Sequence, residues 1–491
     1  MDHNNQKWSR NLFFILATIG AAVGLGNLWR FPSMAYQYGG AAFYLPYLIC
    51  YLFVGLPVIY LEFGLGLWSK GSIAKSFQKQ NRRYTWIGWW ILINSIVIVL
   101  YYAVVMAWSL EYTFFSLNEA WGMDTQGFFL SKVLHRTNSP LEIGSINLST
   151  VLALAIIWII VYFSLKSGVK GLSRILLITV PVPLLLLVIM AIRGLSLPGG
   201  IEGAKYFLVP DLHKILNINV WSAAASQMLL ALSLGMGQMV AYSSMRKDST
   251  KIMGSGLALV FGDFIFSFFS GIVVFSTLGA MLFNTGQTID TVGISGPSLA
   301  FVTYPSAISA LPFGAVWGFL FFLMLVLIGI DSVFAVVEAN LTDLTHVFPK
   351  VHKNRLLLIF CIICFAGGLI FTTGSGMFWL DIVDHWVGNF AIFSIIFLQC
   401  IVFGHSKRIN EIADYLAGWF RDHILKIWRI WLAWGLPLLI LIILTSQFII
   451  NFSKPYGGYP WSTILLGGWG ILIFAMVLAL VIARKHNKEI D

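Results

Sequence analysis

The chain is a succession of apolar runs, each long enough to cross a lipid bilayer as a helix. A bilayer core needs about 20 apolar residues per helix. Hydrophobic residues make up 58% of the 491 residues and charged residues only 11%, against about 25% charged in an ordinary soluble domain. A soluble chain this apolar could not cover its own surface. The sequence therefore predicts an all-α polytopic membrane protein, and it excludes disorder, collagen and a disulfide scaffold as descriptions of the whole chain.

Twelve runs meet the length requirement, and we number them spans 1 to 12. We expect them within a single domain that covers residues 1–491. In chain order the predicted spans are 11–37, 41–69, 88–118, 148–165, 172–194, 220–244, 253–283, 315–345, 356–374, 378–403, 429–451 and 461–483.

The charges of the connecting segments predict the orientation. If the N-terminus lies inside, 24 of the 31 Lys and Arg residues fall in inside segments and 6 in outside segments, while Arg30 lies within span 1. Cytoplasmic loops carry such an excess of Lys and Arg. We therefore predict a multi-pass protein of the cell membrane with both termini in the cytoplasm. The net charge of +10 is then a membrane signal, and we expect no nucleic-acid partner.

The four cysteines carry no recognisable metal or disulfide pattern. All lie in apolar runs, which favours small core hydrophobes. The C-x-x-C pair lacks the second pair that a zinc site needs. The four residues are Cys50, Cys361, Cys364 and Cys400.

Spans 1 and 6 are interrupted by glycines at corresponding positions. Span 1 contains Gly24-Leu25-Gly26-Asn27, and span 6 contains Gly235-Met236-Gly237-Gln238. Each is the first helix of a group of five, residues 11–194 and 220–403, and this arrangement indicates a transporter built as a five-plus-five inverted repeat with its site at the midplane. Residues 429–483, spans 11 and 12, lie outside the repeats and would pack against lipid or a second copy of the chain.

Unwinding inside a membrane frees backbone groups that lipid cannot satisfy. Freed N–H groups suit an anion and freed carbonyls suit Na⁺. The alternative is that the glycines only allow close helix packing. Arg30 and Asn27 favour a functional break, because an unpaired Arg in a span is costly and should face a cavity and a carboxylate.

The residues around these breaks resemble a known family. The run from Trp8 to Gly66, with Gly24-Leu-Gly-Asn-Leu-Trp-Arg-Phe-Pro and Gly39-Gly-Ala-Ala-Phe, is similar to the start of the neurotransmitter:sodium symporters. Span 6, Tyr101-Tyr102 and Gly329-Ile-Asp-Ser332 are similar too. The resemblance covers about residues 7–403 and is weak beyond them.

The resemblance implies two sodium ions as coupling ions and no organic cofactor. The expected ligands of the first sodium are Ala22, Asn27, Ala231 and Asp263. Ala231 stands where a hydroxyl residue is usual, and Asp263 where a carboxamide is common. The alternative for Asp263 is a carboxylate at a span end in water, which its apolar neighbours argue against. The expected ligands of the second sodium are Gly20, Val23, Ile328, Asp331 and Ser332, while a structural ion pair is the alternative for Asp331.

The resemblance also implies the substrate class. Family members that carry monoamines place an acid where Gly24 stands, so here the substrate should bring its own carboxylate. An α-amino acid fits, and an apolar pocket favours a neutral, hydrophobic one. Leu230 replaces an aromatic lid, which either enlarges the pocket or loosens the lid. The expected substrate residues are Ala22, Leu25, Gly26, Ile98, Tyr102, Leu230, Ala231, Ser233, Met236, Ala335 and Val336.

The gates are predicted by the same resemblance. The outer gate would pair Arg30 with Asp384, and Asp381 competes for that role. The usual inner-gate residues are replaced by Asn5, Met245 and His346, and Lys7 and Asp343 are candidate substitutes. Gly171 and Pro181 enclose a segment expected to unwind and admit water to the second sodium.

The chloride site of chloride-requiring members is altered. The matching positions are Tyr47, Gln227, Ala231, Ser267 and Asp263. With Asp263 supplying a fixed negative charge, chloride-independent transport is expected.

The sequence thus predicts a Na⁺-coupled importer of a neutral amino acid that works by alternating access, whose partners are that substrate and the lipid bilayer. A transporter of another small amine or organic solute is the alternative. A channel or sensor on the same scaffold is a second class. A membrane enzyme is a third, but no paired acid–base motif, nucleotide loop or metal-ligand cluster supports it.

Overall fold

A computed structural model describes residues 7–246, 252–285, 296–416 and 422–488. These residues form an all-α fold, in which the only β pairing described is an isolated bridge between Ile146 and Thr373. Ten of the described helices are long and apolar enough to cross a membrane, so the expected all-α polytopic class is confirmed. Their bounds are Ala41–Ser69, Arg82–Asn118, Leu148–Leu165, Gly168–Leu195, Ile252–Phe283, Gly314–Val347, Lys353–Thr372, Gly376–Gly404, Asp422–Gly458 and Trp461–Asn487.

Spans 1 and 6 are both broken. Span 1 is a pair of helical segments, Asn11–Ala22 and Leu25–Gln37, bent by 61° at the break. Counted as one span, it raises the number of membrane-crossing helices in the described chain to eleven. Span 6 consists of Ile218–Ala231 and Gln238–Ser244, and neither half is long enough alone. The predicted count of twelve therefore depends on the two halves of span 6 crossing together.

The two breaks lie against each other. In the break of span 6 the φ angles of Ser233, Gly235 and Gly237 are 52°, 70° and 79°. Glycine adopts these left-handed angles without steric cost, whereas serine does so rarely. The Ser233 hydroxyl donates to the Ala21 carbonyl at 2.7 Å, and Ala21 lies next to the last residue of the first half of span 1. One side chain thus ties the strained turn of span 6 to the break of span 1.

Span 5 begins earlier than predicted and is divided by a proline. Its two helices are Gly168–Thr179 and Pro181–Leu195. Pro181 has no N–H to continue the hydrogen-bond ladder, so the division falls directly before it. The segment after Gly171 that was expected to unwind is helical through Thr179 in this conformation.

Burial separates central spans from peripheral ones. In the most apolar 18 residues of spans 3 and 8, 72% and 78% are buried, against 33% in each of spans 11 and 12. Spans 3 and 8 therefore form the centre of the bundle, and the last two spans have mostly exposed surfaces. All four cysteines are buried and unpaired, as their apolar surroundings predict.

Two connecting segments are helical in their described parts. After the undescribed residues 286–295, the segment between spans 7 and 8 folds into short helices from Gly296 to Ser309. Phe301 is fully buried there and contacts Trp29 of span 1 with ring centroids 6.1 Å apart. The segment between spans 10 and 11 contains the helix Ile409–Asp414 and the start of Asp422–Ile430.

Candidate ion and substrate site at the two helix breaks

A cavity of about 930 Å³ lies beside the two breaks. Its walls include Tyr38, Arg136 and Tyr456, which come from loops that follow spans 1, 3 and 11. The cavity therefore opens to the face that carries the loops after the odd-numbered spans. The predicted substrate residues that line it are Ala22, Gly26, Ile98, Tyr102, Leu230, Ala231, Ser233, Met236 and Val336.

Two predicted substrate residues do not line this cavity. The side chains of Leu25 and Ala335 are fully buried in the protein. Leu25 takes part through its backbone, since its N–H donates to the Tyr102 hydroxyl at 3.0 Å. That bond brings an N–H freed by the break and a hydroxyl group together at the cavity wall, where both could meet a carboxylate. The expected side-chain contact with Ala335 does not occur in this conformation, because Ala335 faces the packed interior of the bundle.

The space at position 24 is narrow. A Cβ atom added to Gly24 would lie 2.9 Å from the Tyr102 hydroxyl oxygen and 3.2 Å from the Ser332 hydroxyl oxygen. An acidic side chain at this position would have to displace the Tyr102 hydroxyl group. The site therefore has no carboxylate at position 24, and it would accommodate one only with a shift of its neighbours.

Asn27 and Asp263 form the centre of a buried polar cluster. Asn27 Nδ2 donates to Asp263 Oδ1 at 2.8 Å and to Ser267 Oγ at 2.9 Å. The Asn27 Oδ1 atom accepts from the Gly24 N–H at 3.0 Å. These bonds fix the amide with its oxygen toward the break. A carbonyl oxygen has two lone pairs, so Oδ1 keeps capacity for a further contact.

Two tyrosines complete the cluster from span 2. The Tyr51 hydroxyl donates to Asp263 Oδ2 and also lies 2.7 Å from the Tyr47 hydroxyl. Asp263, Tyr47 and Tyr51 are all fully buried. Tyr47 Oη lies 3.5 Å from Ser267 Oγ, so three of the residues at the altered chloride positions do come together. The Gln227 Nε2 atom donates to the carbonyl of Gly26, the residue before Asn27, at 3.4 Å.

A second buried carboxylate, Asp331 of span 8, lies against spans 1 and 5. Asp331 is 3% exposed, and its Oδ1 accepts from the Thr179 hydroxyl at 2.8 Å. A Cβ added to Gly20 would lie 3.0 Å from Asp331 Oδ2, so this oxygen closely approaches the span 1 backbone. Ser332 Oγ lies 3.5 Å from the Val23 carbonyl. Four of the five residues predicted for the second sodium are thus together; Ile328 is buried on the same helix.

Both carboxylates suit a cation. Within the described ranges, neither Asp263 nor Asp331 forms an ion pair with Lys, Arg or His. A buried ionised carboxylate needs a compensating charge. The surrounding groups are carbonyl, carboxamide and hydroxyl oxygens, which are the ligands of hard cations. The oxygen ligands around each carboxylate therefore fit one alkali cation, which gives two cation sites near the break of span 1.

The two residues of the predicted outer gate are not paired in this conformation. Arg30 donates to Ser226 Oγ at 3.3 Å, and the described residues show no ion pair between Arg30 and Asp384. Asp384 accepts from the Tyr101 hydroxyl at 2.7 Å. Asp381, the competing acid, is held by Tyr456 at 3.0 Å and by Tyr459 at 2.8 Å.

The opposite end of the cavity is closed by span 1 packing on span 6. Trp8 is 3% exposed, its indole N–H donates to the Tyr242 carbonyl at 2.9 Å, and its backbone N–H donates to the Met245 carbonyl at 3.1 Å. Arg246 donates to Asn11 Oδ1 at 2.5 Å. Sequence reasoning did not identify these contacts, because they depend on which turns of spans 1 and 6 lie face to face.

The predicted substitutes for the inner gate do not pair. Asp343 accepts from the Ser72 hydroxyl, and Ser72 caps the helix Ile73–Gln80; no ion pair with Lys7 is described. An ion pair at this end joins Lys353 to Glu338 at 2.5 Å. The Met245 carbonyl accepts from Trp8 and its side chain is buried in the core, while His346 forms no bond that closes the cavity in the described structure. Asn5 lies outside the described residues.

The broken spans, the membrane-spanning bundle and the buried oxygen clusters define a multi-pass membrane transporter. The model of the sodium:neurotransmitter symporter family matches residues 5–126 and 122–489, which extends the resemblance through spans 11 and 12. The chain belongs to this family. It is a Na⁺-coupled symporter of a small solute, and its family consists of transporters rather than enzymes.

Similar proteins cover nearly the whole chain. A protein of Methanocaldococcus jannaschii described as an uncharacterized sodium-dependent transporter is 33% identical over 98% of each chain. The sodium- and chloride-dependent GABA transporter 2 of Rattus norvegicus is 31% identical over 96% of this chain and 85% of its own. The sodium-dependent dopamine transporter of Caenorhabditis elegans is 30% identical over 94% of this chain and 83% of its own.

Proposed function

We propose that the chain imports a neutral, hydrophobic α-amino acid with two Na⁺ ions by alternating access. In this proposal residues 11–194 and 220–403 are the two inverted repeats, and residues 429–483 lie outside them. The protein lies in the cell membrane with both termini in the cytoplasm, so that the open cavity faces outward. A transporter of another small amine or organic solute on the same scaffold is the alternative, and the names of the GABA and dopamine transporters keep it open.

The space around Gly24 carries the substrate proposal. Because position 24 is a glycine in a narrow space beside Tyr102 and Ser332, an amine-only substrate would find no acidic partner at this position. An amino acid brings its own carboxylate, which can meet the first sodium, the freed N–H groups near Leu25 and Gly26, and the Tyr102 hydroxyl. Its ammonium group can meet carbonyls near Ala22, Leu230, Ala231 and Ser233.

The apolar walls support a hydrophobic side chain. Ile98, Leu230, Met236 and Val336 line the cavity and carry no formal charge. A charged substrate side chain would lose its hydration there without a partner, which is costly. An aliphatic or aromatic side chain would gain about 25 cal/mol for each Å² of apolar surface that it buries.

The charge balance supports transport without chloride. In the proposed loaded state, two Na⁺ ions and a zwitterion are balanced by Asp263 and Asp331. A chloride ion beside Asp263 would add an uncompensated charge in a site of low dielectric constant, where like charges repel strongly. The GABA transporter 2 that this chain resembles is described as chloride-dependent, and we propose that Asp263 removes this requirement here.

Two sodium ions would supply a large driving force. Each ion moving down about 100 mV releases about 2.3 kcal/mol, and a tenfold Na⁺ gradient adds about 1.4 kcal/mol. Two ions then provide roughly 7 kcal/mol, enough for about 10⁵-fold accumulation of a zwitterion.

A thermal-stability screen of the purified protein tests the substrate class. We expect leucine, methionine or an aromatic amino acid to raise the melting temperature in NaCl but not in choline chloride, because a ligand that binds only the folded state stabilises it. Dopamine, an amine without a carboxylate, and GABA, a γ-amino acid without an α-amino group, serve as comparisons. Stabilisation by dopamine, without any by the twenty amino acids, would support the alternative solute instead.

A further inference from the structure

A second cavity lies at the inner ends of spans 3 and 10, away from the transport site. Its volume is about 620 Å³. It is formed by residues 80–87, which lead into span 3, and by residues 398–406, where span 10 ends. We call it the inner crevice. Its lining residues include Arg83, Trp86, Leu398, Ile401, His405 and Ser406.

The inner crevice crosses the boundary between hydrocarbon and water. The long helix of span 3 begins at Thr85 and the last helix of span 10 ends at Gly404, so both enter the membrane at this level. Its floor is apolar, with Ile87 and Val402 buried and Ile401 37% exposed. Aromatic residues concentrate where helices meet the headgroup region, and the crevice has such residues at its edge: Tyr84, Trp86 and Trp434.

One charged group of the crevice has no side-chain partner in the described chain. The exposed Arg83 guanidinium forms no hydrogen bond or ion pair with any described residue; only its backbone N–H is bonded, to Asn81. Gln80 Nε2 donates to Ser406 Oγ at 2.7 Å, which fixes the amide. The crevice thus presents a free guanidinium beside an apolar floor.

The surrounding charge is strongly positive. Residues 79–83 and 405–408 contain five Lys or Arg residues and no Asp or Glu. The nearby Glu411 accepts from the Trp68 indole N–H at 2.8 Å and is not a lining residue. Basic pockets between membrane helices on the cytoplasmic side bind anionic lipid headgroups.

We propose that the inner crevice binds one anionic phospholipid. The phosphate pairs with Arg83, and one acyl chain lies over Leu398 and Ile401. Each part of the crevice then has a partner of matching chemistry. A free phosphate ion would leave the apolar floor uncovered, and a zwitterionic lipid would bring a cation to an already basic rim. The proposal uses the proposed orientation only to place the crevice in the cytoplasmic leaflet.

Native mass spectrometry of the full-length protein in detergent tests this binding. The protein is incubated with phosphatidylglycerol, with phosphatidylcholine or with glycerol 3-phosphate, and the retained ligand is measured. We expect one phosphatidylglycerol to be retained in preference to phosphatidylcholine. Arg83→Gln should weaken its retention about fivefold, the effect of one basic residue near a membrane surface. Ile401→Trp, which fills the apolar floor without a charge change, should weaken it too.

Arg355→Gln is the matched control, because Arg355 is exposed near the inner end of span 9 and lies outside the crevice. It should leave lipid retention unchanged, and melting temperatures without added lipid verify that all variants are folded. Equal retention of the two lipids, equal loss in Arg83→Gln and Arg355→Gln, or retention of glycerol 3-phosphate as tight as that of the lipid would overturn the proposal. Binding is measured without a Na⁺ gradient, so its failure would leave the transport proposal untouched.

Discussion

Asn27 Nδ2 donates to Asp263 Oδ1 at 2.8 Å, between residues 236 positions apart in the chain. The contact joins the broken part of span 1 to span 7. Both side chains are almost completely buried, at 1% and 0% exposure, so neither can exchange this bond for water. The orientation of the amide at the break thus depends on a carboxylate from the other half of the chain, and replacement of that carboxylate should affect both ion binding and anion dependence.

Asp263→Asn should weaken Na⁺ binding and create a chloride requirement. The carboxamide keeps the size of the side chain but removes the fixed negative charge that would balance the first sodium. We expect the Na⁺ concentration for half-maximal stabilisation to rise roughly tenfold, the scale of one bond to a charged group. Thermal shifts with Na⁺ gluconate and with NaCl measure this. Glu111→Gln is the control, since Glu111 is a buried carboxylate that bonds Thr150 rather than the site. An Asp263→Asn variant with unchanged Na⁺ and chloride responses would contradict this role.

Thr179→Val should also weaken Na⁺ binding, although Thr179 is not a predicted ligand. Its hydroxyl donates to Asp331 Oδ1 at 2.8 Å and so orients the carboxylate. We expect a loss of roughly ten- to hundredfold, because a hydrogen bond to a charged group contributes about 1.5–3 kcal/mol. Thr150→Val makes the same atomic change at a bond to Glu111 and should leave Na⁺ affinity as it is. If the two variants lose equal affinity, Thr179 has no specific role.

Gly24→Ala should weaken substrate binding. The added methyl group would lie 2.9 Å from the Tyr102 hydroxyl oxygen, and overpacking of this kind costs typically 1–3 kcal/mol. We expect roughly ten- to hundredfold weaker binding of the amino acid in an equilibrium assay with radiolabelled substrate. Gly254→Ala is the matched change, since nothing lies within 4 Å of a Cβ there. Full affinity in Gly24→Ala would show that the space beside Tyr102 is not limiting.

The gate carboxylates should differ in importance. Asp384→Asn should reduce uptake more than Asp381→Asn, because Asp381 is already held by Tyr456 and Tyr459, while among the described residues Asp384 is bonded by Tyr101 alone. Closure can then bring Arg30, which is too costly to leave unpaired in a span, onto Asp384. Initial uptake rates in liposomes at equal protein density provide the comparison. The reverse ranking would reassign the outer gate to Asp381.

The all-α membrane class and the position of both breaks could be predicted from the sequence, because both follow from local signals. Apolar length predicts spans, and glycine pairs around Gly24 and Gly235 predict where a helix can break. The clustering of Asn27 with Asp263 followed from the family resemblance, since residues this far apart carry no local signal of contact.

The remaining contacts depend on helix register and side-chain rotamers. Thr179 was missed because a single hydroxyl in an apolar span gives no sign of the helix that it faces. Asp343 was expected near the inner gate, yet it bonds Ser72, 271 residues away. Tyr51 lies in an apolar run, where an aromatic ring is ordinarily a packing residue, and its bond to Asp263 became visible only in three dimensions.

Uptake of the stabilising amino acid into liposomes that contain the purified protein tests the central proposal most directly. With equal substrate on both sides and a Na⁺ gradient directed inward, we expect accumulation above equilibrium that saturates with substrate and stops when choline replaces Na⁺. Replacement of chloride by gluconate at constant Na⁺ should leave accumulation intact. Uptake that continues in choline, or that only equilibrates the amino acid in Na⁺, would contradict Na⁺-coupled import.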